Sequence, residues 1–422
     1  MLENLELTVK QLGAIEFGNI TPKPLTLLCG QNNTGKTWIM YVLYLYLDIM
    51  NRTYDDFLNI NNGTIEQSKK NIQHELEKHG DMFLEYINSY ASGNLAHFFN
   101  ATSESFEKTS ININVDREVW LQQLCQIEHD EANVHNFLMM PFKKNVFLMP
   151  AERNGLHLFF RELSSKRTAL LHHASRKDID IHKLLSDVMK SRYAKPIADY
   201  IDWLNGLSEA KRNHQGDFHD IAQDIKKTLV GGNYQVDKRS GEIHFKPYQL
   251  QRNSVMTQKM DLHTTSSSVK SLFGLWFYLE HHAEKGDVLM IDEPELNIHP
   301  VNQRQLARIL ARLVNAGLQV IVSTHSDYIV REINSLMLLQ DDGNELLAPE
   351  RVCLLKKHGY SSDETLGLDQ VGAYHFTDTT IQSFQVTKQD GIYATTFDDV
   401  IRDLNKTNND IYYSLQEACG DE

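Results

Sequence analysis

Leu25-Thr-Leu-Leu-Cys-Gly-Gln-Asn-Asn-Thr-Gly-Lys-Thr37 decides how this chain is read. Leu25 to Cys29 is a short apolar run of the kind a buried strand uses. Gly30-Gln-Asn-Asn-Thr-Gly-Lys-Thr37 then fits the spacing G-x-x-x-x-G-K-[ST], and Thr37 to Met50 reads as a buried helix. Such a loop wraps phosphate oxygens with backbone N–H groups, and its glycines let the backbone come close. Gly30, Gln31, Asn32, Asn33, Thr34, Gly35 and the following Trp38 are therefore candidates for phosphate contact. Lys36 brings a positive charge toward the outer phosphates, and Thr37 offers a hydroxyl to Mg²⁺.

Working outward, the next informative stretch begins at Thr264-Thr-Ser-Ser-Ser-Val-Lys-Ser271. Hydroxyl residues at a helix start suit an anion, and ordinary capping of the helix is the other reading of them. Val269, Leu272, Phe273, Trp276 and Leu279 follow at helical spacing. Val288 to Ile291 reads as a buried strand closing on Asp292 and Glu293. Asp292 is the candidate Mg²⁺ ligand, directly or through water, and Glu293 is placed to polarise an attacking water. Leu306, Ile309, Leu310, Leu313 and Val314 predict a second amphipathic helix, stopped at Gly317. Leu318 to Thr324 is the next strand, and His325 lies at its carboxyl end, where α/β sheets bind ligands. His325 is a candidate sensor of the terminal phosphate. Glu293, His325 and Lys36 make up the candidate catalytic set. Helices alternating with short apolar strands imply a parallel sheet covered on both faces.

Loop, serine-rich helix start, Asp-Glu-Pro and strand-end histidine, in this order, resemble the ABC-type ATPases of the RecF, SMC and OLD group. Asp292-Glu-Pro-Glu-Leu-Asn-Ile-His-Pro300 is similar to that group's Walker B and D-loop. The resemblance implies an α/β P-loop ABC-type ATPase head, with a mostly parallel sheet, an N-terminal antiparallel β portion and a helical insertion. It implies ATP and Mg²⁺ as cofactors and hydrolysis of ATP as the reaction. It also implies a head-to-head dimer or higher oligomer, in which Ser267, Ser268 and Lys270 of one subunit meet ATP on the other. No L-S-G-G-Q is present, a departure from the transporters. Met149-Pro-Ala-Glu-Arg153 recurs in the group, and a Q-loop-like contact and a structural role both stay open for it.

The Asn-Asn-Thr-Gly-Lys-Thr loop and the helical insertion resemble bacterial anti-phage defence ATPases, those of the Septu and PARIS systems among them. That likeness implies a regulatory subunit controlling a separate effector, an HNH or Toprim nuclease. Two alternatives stay open: a repair or recombination ATPase like RecF that binds DNA directly, and a nucleotide-locked scaffold with little turnover. The domain expectation is an N-terminal head part over 1–50, a mainly helical insertion over 51–228 interrupted by a head strand near 144–153, and the rest of the head over 229–422.

The remaining features bound these readings. The 422 residues carry a net charge of −14, which argues against a general nucleic-acid coat. A local basic stretch exists from Glu152 to Lys177, with Arg153, Arg161, Lys166, Arg167, Arg176 and Lys177 against Glu152 and Glu162. It reads as a solvated helical face or as a surface for nucleic acid or a partner. Cys29, Cys125, Cys353 and Cys419 are scattered, so neither zinc nor a disulfide framework is expected and a cytoplasmic setting fits. The most apolar stretch, Trp38 to Met50, is shorter than the roughly 20 residues a bilayer span needs, so no membrane partner is expected. Glu66 to Asn88 and Ile197 to Leu207 read as helical, and Tyr234 to Tyr248 as a hairpin turning at Ser240-Gly241. His214 and His219-Asp220 lack the spacing of an HD hydrolase, and Asp398 to Glu422 is acidic.

Overall fold

The structure is a computed structural model, and it describes residues 5–61, 72–115, 145–162, 193–210, 216–248, 259–341, 343, 347–387, 391–392 and 402–413. Cys125, Lys166, Arg167, Arg176, Lys177, His214 and Cys419 lie outside these residues, as does most of Asp398–Glu422.

In β1 (Leu5–Leu12), Leu5, Leu7 and Val9 are buried at every second position, the period of a strand with one covered face. It turns into the antiparallel β2 (Ile15–Ile20). The fully buried β3 (Leu25–Gly30) leads through the glycine loop into α1 (Lys36–Asn61), which is followed by α2 (Ile72–Phe99). The chain then returns as β4 (Ser110–Val115), which pairs antiparallel with β1 in the order β2-β1-β4. Asn88 of α2 fastens this strand. Its side chain accepts from Ile113 N at 2.8 Å and donates to Ile113 O at 3.0 Å, while Tyr46 of α1 donates to it at 2.9 Å.

The main sheet takes strands from the whole length of the chain. Beyond β5 (Val146–Met149) lie a helical segment over 153–162, α3 (Lys195–Asn205) and α4 (His219–Asp224). An antiparallel meander follows, of β6 (Gly232–Val236), β7 (Ile243–Pro247) and the short β8 (Met260–Asp261). Then come α5 (Ser267–His281), β9 (Val288–Asp292), α6 (Pro300–Asn315), β10 (Gln319–Thr324), α7 (Asp327–Leu338) and α8 (Ala348–His358). The last strands of the sheet are β11 (Val371–Phe376) and β12 (Ile381–Ser383). The order is β12-β11-β3-β10-β9-β5, parallel throughout except at β12. The fold is thus α/β, with a mostly parallel main sheet and a separate antiparallel sheet built on the N-terminal strands. Among the described residues, no helix is long and apolar enough to cross a membrane.

Two features depart from the sequence reading. The apolar stripe of α5 widens into burial on all sides, from Ser271 to Glu280, because α4 and the meander close over the face that periodicity leaves polar. Strands β4, β11 and β12 are absent from the sequence expectation. β4 carries Ser, Asn and Asn between its isoleucines, so its apolar content is low.

The register fixes where chemistry can occur. Cys29 of β3 pairs with Thr324 of β10, and Asp292 of β9 pairs with Ser323. The loop after β3, the two carboxylates after β9 and the histidine after β10 therefore emerge side by side from one edge of the sheet.

Candidate functional site

The loop comes first. Gly30 and Gly35 have φ of +153° and +95°, and a Cβ on either would lie 2.6 Å from Phe376 O or 2.7 Å from Ile15 Cδ1. No residue larger than glycine fits this cradle. Asn33 holds a left-handed φ of +66°, and Thr34 Oγ1 donates to Gln31 O at 2.9 Å. Lys36 is buried, and its ammonium donates to Gly30 O at 2.9 Å and Gln31 O at 2.6 Å. Burial lowers its pKa from the ordinary lysine range, against the pull of Glu293 and Asp292. Gln31, Asn32 and Asn33 are exposed. Trp38 points elsewhere. Its indole stacks on Phe99 of α2 with centroids 4.7 Å apart, so toward a phosphate it offers its backbone and not its ring.

Asp292 stands opposite. Its Oδ2 accepts from Thr37 Oγ1 at 2.9 Å, and its Oδ1 accepts from Ser323 Oγ. A hydroxyl and a carboxylate oxygen side by side are the hard donors that Mg²⁺ prefers. Thr37 and Asp292 therefore fit the metal, which would supply charge neutralisation for phosphate oxygens. Glu293 follows with φ +49°, a left-handed conformation costing a side-chain-bearing residue roughly 1–2 kcal/mol. Its surroundings hold it there: Glu293 N donates to Ser323 Oγ at 3.0 Å, and Arg153 donates to Glu293 O at 2.8 Å.

His325 is exposed, with Nδ1 3.8 Å from Glu293 Oε1 and 3.3 Å from Glu295 Oε1. Glu295 is buried, and its Oε1 accepts from Thr324 Oγ1 and His325 N, both at 2.8 Å. Burial pushes its carboxyl above the ordinary range, and Oε2 is buried with no hydrogen-bond partner among the described residues. Glu295 thus sets the backbone that presents His325.

The serine-rich helix start is built differently. Ser266 caps α5, its Oγ accepting from Val269 N at 3.3 Å, while Ser267 is exposed. Ser268 Oγ donates to Asn297 O at 3.0 Å, and Asn297 itself has φ +63°. Lys270 is half-buried. Among the described residues, no hydrogen bond joins Ser267, Ser268 or Lys270 to Gly30–Thr37. The structure therefore brings Lys36, Thr37, Asp292, Glu293 and His325 together and sets Ser267, Ser268 and Lys270 apart, beside the turn that follows β9.

One reading of the basic stretch needs correction. Arg153 is 1% exposed and faces the Asp292–Glu293 backbone, so it is no part of a basic surface. Arg161 lies over the Phe160 ring at 5.6 Å, against the hairpin turn at Gly241. Two contributors escaped the sequence reading of roles, Ser323 and Glu295, while Arg153 belongs to the Met149–Arg153 stretch for which a contact and a structural role were both open. Ser323 and Glu295 carried a signal, since both sit inside the strand-end segments already singled out.

Residues 162–330 match the AAA ATPase domain family. That span contains Asp292, Glu293 and His325 and begins after the loop at Gly30–Thr37. Among curated proteins, none matches the chain. Solved structures with a partial likeness include SMC heads. The Smc head domain of Pyrococcus furiosus, bound to the C-terminal domain of ScpA, is 13% identical with a TM-score of 0.37, over 94% of this chain and 98% of that one. The SMC head domain of Thermotoga maritima is 10% identical with a TM-score of 0.34, over 90% and 98%.

Lys36 places a positive charge at the loop, Thr37 and Asp292 offer hard oxygen donors of the kind a divalent cation takes, and Glu293 adds a carboxylate beside them. Brought together at one sheet edge, these groups have the parts that phosphoanhydride hydrolysis requires.

Proposed function

We propose that this chain binds and hydrolyses ATP with Mg²⁺, dimerises or forms a higher oligomer through its heads, and regulates a separate effector in bacterial anti-phage defence. The supporting observation is the hydrogen bond from Thr37 to Asp292, which joins the phosphate loop to the acid pair across 255 residues of chain. In this reading Lys36 and the loop amides of Gly30–Thr37 hold the phosphates, and the backbone N–H of Trp38 extends that cradle. Thr37 and Asp292 hold the cation. Glu293 accepts a proton from the attacking water, and His325, oriented by Glu295, meets the terminal phosphate. Ser267, Ser268 and Lys270 are kept for the nucleotide of a second subunit. The exposure of Ser267 and the separation of this helix start from its own loop favour that assignment. In this reading the effector is a nuclease of the HNH or Toprim class, as the resemblance to the Septu and PARIS ATPases implies.

Replacing Glu293 by Gln tests hydrolysis. Turnover drops by roughly 10²–10⁴-fold while ATP binding persists, the effect of removing a general base. Unchanged turnover rules out Glu293 as the base. The regulatory role is tested separately, by incubating the purified chain with DNA, ATP and Mg²⁺ or Mn²⁺. Robust cleavage without a partner would sink it.

A further inference from the structure

Met149-Pro-Ala-Glu-Arg153 has no part in the chemistry above, yet the turn it opens touches both halves of the site. We infer that the helical turn from Arg153 to His157 is a strut, rigidly linking the Asp292–Glu293 turn to the first turn of α5, so that the nucleotide at the loop sets the position of Ser267–Lys270. This rests on the ATP-hydrolysing reading and names the residues that regulate its partner-facing surface.

Arg153 holds one end. Its Nη1 donates to Asp292 O and its Nη2 to Glu293 O, each at 2.8 Å, and Nη1 also reaches Pro150 O at 3.2 Å. A planar guanidinium spans two successive carbonyls, whereas an ammonium is a single point charge on a flexible stem. The Glu293 carbonyl belongs to the residue at φ +49°, so any relaxation of that backbone pulls on Arg153.

His157 holds the other end. It lies four residues on, the spacing that puts two side chains on one helix face. Its Nδ1 is 2.9 Å from Lys270 O and its Nε2 is 2.7 Å from Tyr200 Oη. A carbonyl only accepts, so Nδ1 carries the proton and Nε2 accepts from the tyrosine. Burial drives the imidazole down to about 3, which keeps it neutral and fixes this arrangement. Gly274 leaves room for Tyr200, since a Cβ there would lie 2.3 Å from Oη. Between the two ends, Asn154 Oδ1 is 3.0 Å from Ser271 Oγ, which is also 2.8 Å from Leu296 O. Tyr234 adds a bond to Val269 O at 2.5 Å. One helical turn, with Arg153 and His157 buried, thus grips the backbone carrying the Asp292–Glu293 acids and the backbone carrying the serine-rich surface. Arg153 and His157 are positioning residues, acting through Glu293 and Lys270.

The test is a double-mutant cycle on ATP hydrolysis by the full chain, with ATP affinity and thermal stability measured in parallel. Arg153→Lys and Ser268→Ala are each expected to lower kcat about ten-fold, with KM for ATP within three-fold of wild type. The strut requires the double variant to be no more than about three-fold slower than either single one, because Ser268 is already displaced once Arg153 lets go. A hundred-fold additive loss overturns the strut, as does a Ser268→Ala variant with unchanged kcat. Should Arg153→Lys fail to fold, the cycle is run on His157. His157→Asn keeps a donor where Nδ1 stands and should keep near-wild-type kcat, while His157→Leu should behave as Arg153→Lys. Equal loss in both variants also overturns the strut. A wild-type chain that binds no ATP or never hydrolyses it defeats the ATPase reading itself, and the strut falls with it. An active wild type with an additive cycle defeats the strut alone.

Discussion

The carboxyl ends of β3, β9 and β10 and the amino end of α5 are both made of small hydroxyl residues beside charged ones, yet they are held in opposite ways. At the sheet edge, Thr37, Asp292, Ser323, Glu295 and Thr324 bond one another side chain to side chain, and most are buried. At the helix start, Ser267 is exposed and Ser268 rests on a single backbone carbonyl. The first region is tied together within the chain, and the second leaves Ser267 accessible. A side chain that must act on its own subunit's ligand is locked in advance, because misplacement costs rate. One kept for a second molecule is left accessible, and its backbone is held from behind.

Several substitutions can break or sharpen this contrast. After Glu293→Gln, the largest effect belongs to Lys36→Ala, which removes the positive charge from the locked region. A drop in kcat/KM of roughly 10²–10³-fold is expected, the size seen when one preorganised charge stabiliser is lost. Steady-state ATPase measurements check it. Ser323→Ala comes next. It deprives Asp292 Oδ1 and Glu293 N of their shared partner in a buried site, costing roughly 1–3 kcal/mol of stability, readable in denaturant unfolding.

A smaller effect appears on acidification. The folded chain keeps His157 neutral down to about 3, while the unfolded chain takes up a proton near 6.5. The unfolded state then binds more protons, so stability is full above 6.5 and falls as pH drops below it. At pH 5.5 the loss from His157 is roughly 1 kcal/mol, and the slope should be shallower by that amount in His157→Asn thermal melts, with His282 and His375, also lowered by burial, keeping their share. Smallest is Ser267→Ala, on the open region. Its stability should stay within about 0.5 kcal/mol of wild type, as for exposed sites without partners. A loss well above that in thermal unfolding contradicts the picture of an open helix start.

Much of this was legible in the sequence, for identifiable reasons. β3, β9 and β10 are buried throughout and mostly apolar, and each ends at candidate site residues, so strand and site were read together. Gly30 and Gly35 could be assigned because only glycine tolerates both their φ values and the proximity of Phe376 and Ile15. Other parts were hidden. β4 and β11 mix polar and apolar residues, and their pairing with β1 and β3 is a matter of partners far away in sequence. Arg153 was open to two readings, surface charge or part of the Met149–Arg153 stretch, because nothing in its neighbours reveals that two carbonyls some 140 residues later will receive it. Glu295 sits in a plainly acidic segment, but its burial beneath His325 depends on how β9 and β10 align. Periodicity reports on one face of one element, and these residues are decided by two elements meeting.

The position of β11 has a consequence in time. The strand that delivers Gly30 has β10 along one edge and β11 along the other, and the Phe376 carbonyl sits where a side chain at residue 30 would go. At about 5–20 residues per second, a ribosome that has made the phosphate loop works for roughly half a minute more before it supplies the loop's last wall. Until then β3 is a mostly apolar strand with at least one unpaired edge, the state in which chains seek wrong partners. A chain stopped after Asp341 would keep every motif quoted above and still leave one side of its phosphate loop unbuilt.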